Sequence, residues 1–299
     1  MKILVFGAGA IGSWLGGFLS VKHEVTLVGR RAHVDAIRER GLRISGRATL
    51  LAHVAATTRV PQDPPDVIFV TTKSYDTATA VDALRAFWRR STFVTLQNGL
   101  GNAERLAADA DRVIAGTTTH GVTFVGPGEV VHAGAGETRI GGVKGVARTD
   151  VERLANALTA AGIPTAVTDD VRRDLWAKAV VNAAINPLTA VLRVRNGDLV
   201  RHDDLRALLD RLAREGAVAA RAAGVDLDPD GIAAKAAEVA ARTAENRSSM
   251  LQDVERGRRT EVEAITGELL RAARGVVLPY NESIYALVRG VERTLPRGS

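Results

Sequence analysis

The six residues Gly7-Ala8-Gly9-Ala10-Ile11-Gly12 constrain this chain more than any other part of it. They follow an apolar run at residues 3–6 and open an apolar, helix-periodic stretch at residues 11–21. A G-x-G-x-x-G pattern is weak alone, but a strand before it and a helix behind it supply the context it requires. The first glycine permits a tight turn, the second lets the backbone approach a pyrophosphate, and the third lets helix and strand pack closely. The helix start then offers unpaired N–H groups to an anion. The expectation is a dinucleotide site at the head of a βαβ unit. A glycine-rich turn without a ligand is the plainer alternative.

The first half of the chain continues in the same manner. Short apolar runs at residues 24–28, 67–71, 93–96 and 113–115 are interleaved with helical patterns at residues 32–40 and 77–88. Strands spaced by helices of this length predict a parallel sheet. Between about residues 118 and 140 the runs shorten and glycines punctuate them, as in Gly126-Pro127-Gly128, which predicts an antiparallel extension. Beyond Asp169 the pattern is almost wholly helical. Its Ala-rich stretches, at residues 217–223 and 233–241, suit a homodimer face and equally an internal core. The predicted architecture is α/β: a Rossmann-type N-terminal domain with an antiparallel extension, residues 1–168, then an all-α C-terminal domain, residues 169–299. Pro296-Arg297-Gly298-Ser299 are set aside from this reading.

Composition removes several classes of function. With no Cys there is no disulfide, thiolate metal site or Cys nucleophile. No cluster of His, Asp and Glu shows metal-ligand spacing, so no metal is expected. A net charge of +6 would suit nucleic acid, but the basic residues alternate with acids, as in Arg38-Glu39-Arg40. A mixed, solvated surface is the better reading. No apolar run reaches the roughly 18 residues of a membrane span. The apolar start is also too short for a secretory leader. These features give the expectation of a cytoplasmic protein that binds neither membrane nor nucleic acid.

The end of the second strand selects the dinucleotide. It reads Leu27-Val28-Gly29-Arg30-Arg31, with no carboxylate to hold ribose hydroxyls and two guanidiniums instead. Arg pairs with a 2′-phosphate in bidentate fashion, which favours NADP(H) over NAD. Arg30 is preferred, and surface charge is the alternative for both. Ligands of open α/β sheets gather at the carboxyl ends of strands. Lys73 and Asn98, which follow the runs at 67–71 and 93–96, therefore fall on that rim. Lys73 also reads as an exposed loop lysine, and Asn98-Gly99 as ordinary turn chemistry. His120 reads either as a rim residue or as a packed histidine.

In the helical half, Lys178, Asn182 and Asn186 are spaced i, i+4, i+8 within an otherwise apolar stretch. Eight residues drift only about 80° around a helix, so the three share one face. Polar groups on a buried helix need partners. They either satisfy other protein groups or line a cleft. Pro187 is expected to end or kink this helix. Farther on, Ser249 and Gln252 suit a capping box, and a helix start with a hydroxyl also suits a carboxylate. Glu261 begins another helix, where the dipole alone favours it.

These residues together resemble the ketopantoate reductase (2-dehydropantoate 2-reductase) family. The resemblance is carried by Gly7–Gly12, Lys73, Asn98-Gly99, residues 117–121 and 134–141, Lys178 through Thr189 and Ala244 through Glu261, most specifically by Asn186-Pro187-Leu188-Thr189-Ala190 and Ser248-Ser249-Met250-Leu251-Gln252-Asp253. It implies NADPH-dependent reduction of the ketone of 2-dehydropantoate to (R)-pantoate, in pantothenate and coenzyme A biosynthesis. By this resemblance Lys178 is the general acid and Glu261 its partner. Asn98, Asn182, Asn186 and Ser249 contact substrate, with Asn246 as an additional contact. Gly7, Ala8, Gly9, Ala10, Ile11, Gly12, Arg30, Lys73 and Asn98 form the cofactor side. Asp76 stands where other members carry Gln, which puts a cofactor contact there in doubt. Two other readings stay open: a paralogue reducing another 2-oxo acid, and a non-catalytic NADP(H) sensor.

Overall fold

The computed structural model describes residues 1–295, and the four residues set aside above lie outside them. Contacts divide the chain into residues 1–97 with 102–171, and residues 98–101 with 172–299. The expected division at 168/169 falls three residues before this one. It also had no place for the short loop 98–101. Leu100 belongs to the apolar core of the helical unit, and its N–H donates to the Ala264 carbonyl (2.8 Å).

The sheet unit is built from β1 (Lys2–Phe6), α1 (Ala10–Leu19), β2 (Glu24–Val28), α2 (Arg31–Arg40), β3 (Leu42–Gly46), β4 (Leu50–Ala52), β5 (Ala55–Thr57) and β6 (Val67–Val70). It continues through α3 (Thr77–Ala83), β7 (Thr92–Thr95), α4 (Asn102–Asp109), β8 (Val113–Thr118), β9 (Gly121–Gly126), β10 (Glu129–Gly134), β11 (Thr138–Lys144), α5 (Arg148–Ala160) and β12 (Thr165–Val167). The main sheet has the order β12-β11-β8-β7-β6-β1-β2-β5. All neighbours run parallel except β8 and β11. β6 and β7 are buried at nearly every position, as strands covered on both faces must be. β1 lies between β2 and β6, so the strand order reverses beside it, where open sheets bind ligands.

The antiparallel extension is β11 alone. β9 and β10 instead form a hairpin in a second sheet, ordered β4-β3-β10-β9. The expected single extension is thus split between two sheets, because β10 pairs in parallel with β3. α1 packs close to both sheets: a Cβ on Gly16 would lie 2.3 Å from Leu27, and one on Gly17 would lie 2.6 Å from Ile44.

The helical unit comprises α6 (Val171–Leu192), α7 (Asp198–Arg201), α8 (Asp203–Ala222), α9 (Pro229–Arg242), α10 (Ser249–Glu255), a π-helical stretch Glu263–Gly267 leading into α11 (Glu268–Ala272), and α12 (Pro279–Thr294). α6 is long and apolar enough to cross a membrane by length and composition, but 67% of that stretch is buried inside the protein. It is a core helix. It also runs through Pro187 rather than ending there. Ala183, Ala184, Ile185, Leu188 and Ala190 are all buried around the proline, and this packing offsets the one backbone bond it forfeits. Six alanines of α8 and α9 that lie in the same core are Ala213, Ala217, Ala220, Ala233, Ala236 and Ala240.

Candidate active site

The sheet unit presents a nucleotide-binding edge. Phe6 pairs in register with both Val28 and Val70, so the glycine loop, Arg30 and Lys73 all leave the sheet at one edge. The glycines act as their positions require. Gly7 has φ +111°, and a Cβ there would sit 2.6 Å from the Thr72 nitrogen. A Cβ on Gly12 would lie 2.3 Å from the Gly7 carbonyl, so helix and loop are in tight contact. At Gly9 a Cβ would meet nothing nearer than 4.0 Å, and that space is where a phosphate can approach the backbone. Thr71 Oγ1 donates to the Gly7 carbonyl (2.9 Å) and Gly7 N–H to the Val28 carbonyl (3.0 Å), which fixes the turn. α1 starts at Ala10 with neither a capping side chain nor an acid in its first turn. Its first N–H groups lack intrahelical acceptors and are suited to an anion.

Arg30 is the N-cap residue of α2 and Arg31 its first helical residue. Both are exposed, and neither forms an ion pair among the described residues. Lys73 precedes a 3-10 turn at Ser74–Asp76 and is half-buried. His33, in the first turn of α2, braces this edge. Its Nδ1 accepts from Gly128 N–H (2.9 Å), so the neutral ring donates through Nε2 to Ser13 Oγ (2.9 Å). Burial pushes the His33 imidazole below its usual range, and Arg30 adds to the effect. These residues fit a dinucleotide with a 2′-phosphate: an open backbone for the pyrophosphate and two uncommitted guanidiniums beside it.

His120 is a packed histidine. It is buried, stacks on Trp14 with ring centroids 4.6 Å apart, and lies 3.0 Å from His132 Nε2 through its Nδ1. The same Nδ1 accepts from Gly136 N–H (3.2 Å). His120 therefore belongs to the interior of the sheet unit.

The helical unit carries the second constellation. Lys178, on α6, donates from Nζ to Asn98 Oδ1 (2.9 Å). Asn98 thus meets the lysine, while Gly99 supplies the turn chemistry with φ +84°. Burial pushes the Lys178 ammonium down to about 8, and the Glu261 carboxylate pulls it back up. Glu261 is itself buried, two residues before the π-helical stretch, and its carbonyl accepts from Ile265 N–H (3.0 Å). π-Helical turns recur at functional sites. Asn186 is 6% exposed, yet neither its amide nor that of Asn182 makes a side-chain hydrogen bond among the described residues. Neither amide is sealed from solvent, so both are open to an incoming hydrogen-bonding partner.

The capping register differs from the expected one. Ser248, not Ser249, caps α10, accepting from Leu251 N–H (3.1 Å). Ser248 is tied to Thr189 on α6 by a 2.7 Å hydroxyl contact. Ser249 is left exposed, and α10 is only seven residues long. Asn246 lies in the loop before it, where its carbonyl accepts from Asn196 N–H (3.0 Å). Paired serines make either residue a credible cap by type, and only packing against Thr189 decides between them.

A Rossmann-type sheet with an open glycine loop, together with a half-buried lysine–amide pair near a buried carboxylate, defines a dinucleotide-dependent oxidoreductase. The comparisons specify which. Residues 3–145 match the family model "Ketopantoate reductase PanE/ApbA" and residues 170–292 its C-terminal model. A 2-dehydropantoate 2-reductase from Pyrococcus horikoshii is 40% identical over 297 residues, 98% of each chain. The crystal structure of a PanE/ApbA family ketopantoate reductase from Ralstonia eutropha is 33% identical, with TM-score 0.89 over 99% of each chain. A D-mandelate dehydrogenase solved with NADH and anilino(oxo)acetate is 25% identical, with TM-score 0.93 over 99% of each chain. The chain belongs to the ketopantoate reductase family.

Proposed function

We propose that this chain reduces 2-dehydropantoate to (R)-pantoate with NADPH, a step of pantothenate and coenzyme A biosynthesis. The observation that carries the reading is the half-buried Lys178–Asn98 bond within the electrostatic reach of the buried Glu261 carboxylate. The curated relatives of that name span nearly the whole chain. In this reading the sheet unit holds the nucleotide, with Gly7 to Gly12 and Lys73 at the pyrophosphate side and Arg30 at the 2′-phosphate. The helical unit holds the substrate. With it go a small-molecule partner and a cytoplasmic place of work.

NADPH, when bound, supplies the hydride that makes the ketone carbon tetrahedral. The protein must then meet the negative charge that grows on the carbonyl oxygen. Lys178 has three N–H donors; Asn98 fixes one, and the others remain for that oxygen. Glu261 keeps the amine charged although burial opposes it. Proton transfer from a positioned acid of this kind contributes roughly 10²–10⁴-fold. The unpartnered amides of Asn182 and Asn186 and the exposed hydroxyl of Ser249 are assigned to the substrate's hydroxyl and carboxylate.

The structural likeness to a D-mandelate dehydrogenase supports one other reading, a reductase of a different 2-oxo acid. Steady-state NADPH oxidation with 2-dehydropantoate and with 2-oxoisovalerate separates the two. A site that hydrogen-bonds the substrate hydroxyl should prefer the hydroxylated acid by about 10⁴-fold in kcat/KM. It should also turn over faster with NADPH than with NADH. Equal kcat/KM for the two acids would overturn the assignment of substrate.

A further inference from the structure

Glu261 has an unusual anchorage that its own neighbourhood in sequence does not provide. Thr260, 1% exposed, donates to Glu292 Oε1 twice: from its N–H at 2.8 Å and from its hydroxyl at 2.7 Å. The Thr260 hydroxyl in turn accepts from Val262 N–H at 3.2 Å. The backbone N–H groups on both sides of Glu261 are therefore committed, and its own carbonyl is held by Ile265. Glu292 lies 32 residues away on α12, its side chain 10% exposed, with Arg289 Nη1 at 3.0 Å from its other oxygen.

A helix start does not need so much. α8 begins with no capping side chain at all and runs for 20 residues. A carboxylate drawn out of water by a distant helix is a costly way to cap one turn. Its use is understandable where a backbone must be held closely, because charge-assisted bonds are roughly twice as strong as neutral ones. Proton transfer is such a case, since a misplacement of about 1 Å can cost about 10²-fold in rate.

We propose that Thr260 and Glu292 are positioning residues that hold the Glu261 carboxylate in place beside Lys178. The proposal rests on the assignment of Glu261 to the reaction. Thr260→Val keeps the shape and removes the hydroxyl. It should lower kcat about tenfold and leave the NADPH dissociation constant unchanged. Thr260→Ser, which restores the hydroxyl, should return kcat to near the wild-type value. Glu292→Gln keeps an acceptor oxygen and should fall between wild type and Glu292→Leu.

Tyr285→Phe is the structural control. It removes a hydrogen bond between the same helix, α12, and Glu263 of the π-helical stretch, and leaves both Thr260–Glu292 bonds in place. It should lower Tm without changing kcat. Wild-type kcat in folded Thr260→Val would overturn the proposal, and so would a kcat loss in Tyr285→Phe equal to that in Thr260→Val. If Glu292→Leu does not fold, the Val and Ser variants at Thr260 still decide. Glu261→Ala is measured alongside. Full turnover in that variant would overturn the underlying assignment and the proposal with it. Collapse there, with Thr260→Val intact, would overturn only the proposal.

Discussion

At the scale of single residues, Lys178 is caught between two opposed effects. Burial favours the neutral amine and Glu261 favours the ammonium, leaving the group titrating at about 8 rather than near its usual value. The acid form is the one that donates, so reduction should be full below this value and fall as pH rises through it. Stopped-flow hydride transfer measured from pH 6 to 10 should show a single alkaline limb near 8. Lys178→Ala should remove that limb and lower kcat by about 10²-fold or more, with NADPH binding retained. A variant that keeps both rate and limb would take the acid role away from Lys178. The shared face was legible in the sequence: type and spacing put Lys178, Asn182 and Asn186 on one side of a continuous helix. The cap at Ser248 was not, because Ser248 and Ser249 differ only in what packs on them. Nor were Thr260 and Glu292, since nothing local joins residues that far apart.

At the scale of elements, the loop 98–101 shows how a turn can serve two ends. Gly99 has φ +84°, and a Cβ there would lie 2.5 Å from the Ala264 carbonyl oxygen. That close approach lets Leu100 N–H reach the same carbonyl and sets Asn98 against Lys178. Gly99→Ala combines a strained backbone with a clash that no side chain can relieve. It should destabilise the helical unit by about 1–3 kcal/mol and reduce turnover, read by urea unfolding and by kcat. An unchanged unfolding midpoint would mean the loop relaxes freely. The strand ends at Val28 and Val70 were readable because apolar runs stop where the sheet stops. The continuation of α6 past Pro187 was not, because local chemistry favours a break and only surrounding side chains overrule it.

At the scale of the whole molecule, alternating strands and helices announced the parallel sheet, and the Ala-rich second half announced the helices. The second sheet was hidden, since the pairing of β10 with β3 joins segments about 85 residues apart in sequence. That same region sets a stability limit. His120 is buried against Trp14 and His132, and burial lowers its imidazole to about 4, with His132 opposing its charge further. Its folded value lies below the unfolded value of about 6.5. The neutral ring therefore contributes stability that is present above pH 6.5 and lost as pH falls towards 4. Urea midpoints should drop across this window, and His120→Phe should flatten the drop. An equally steep decline in the variant would assign the acid sensitivity to other groups.

The short stretch 98–101 has an evolutionary corollary. A gene divided between the codons for Val171 and Arg172 would send the amine into one polypeptide and the amide that steadies it into another. Neither product would inherit the Lys178–Asn98 hydrogen bond. Recombination that shuffles the nucleotide-binding module onto a new helical companion must therefore carry or rebuild those four residues, and a clean swap at the visible boundary should yield folded but inert hybrids.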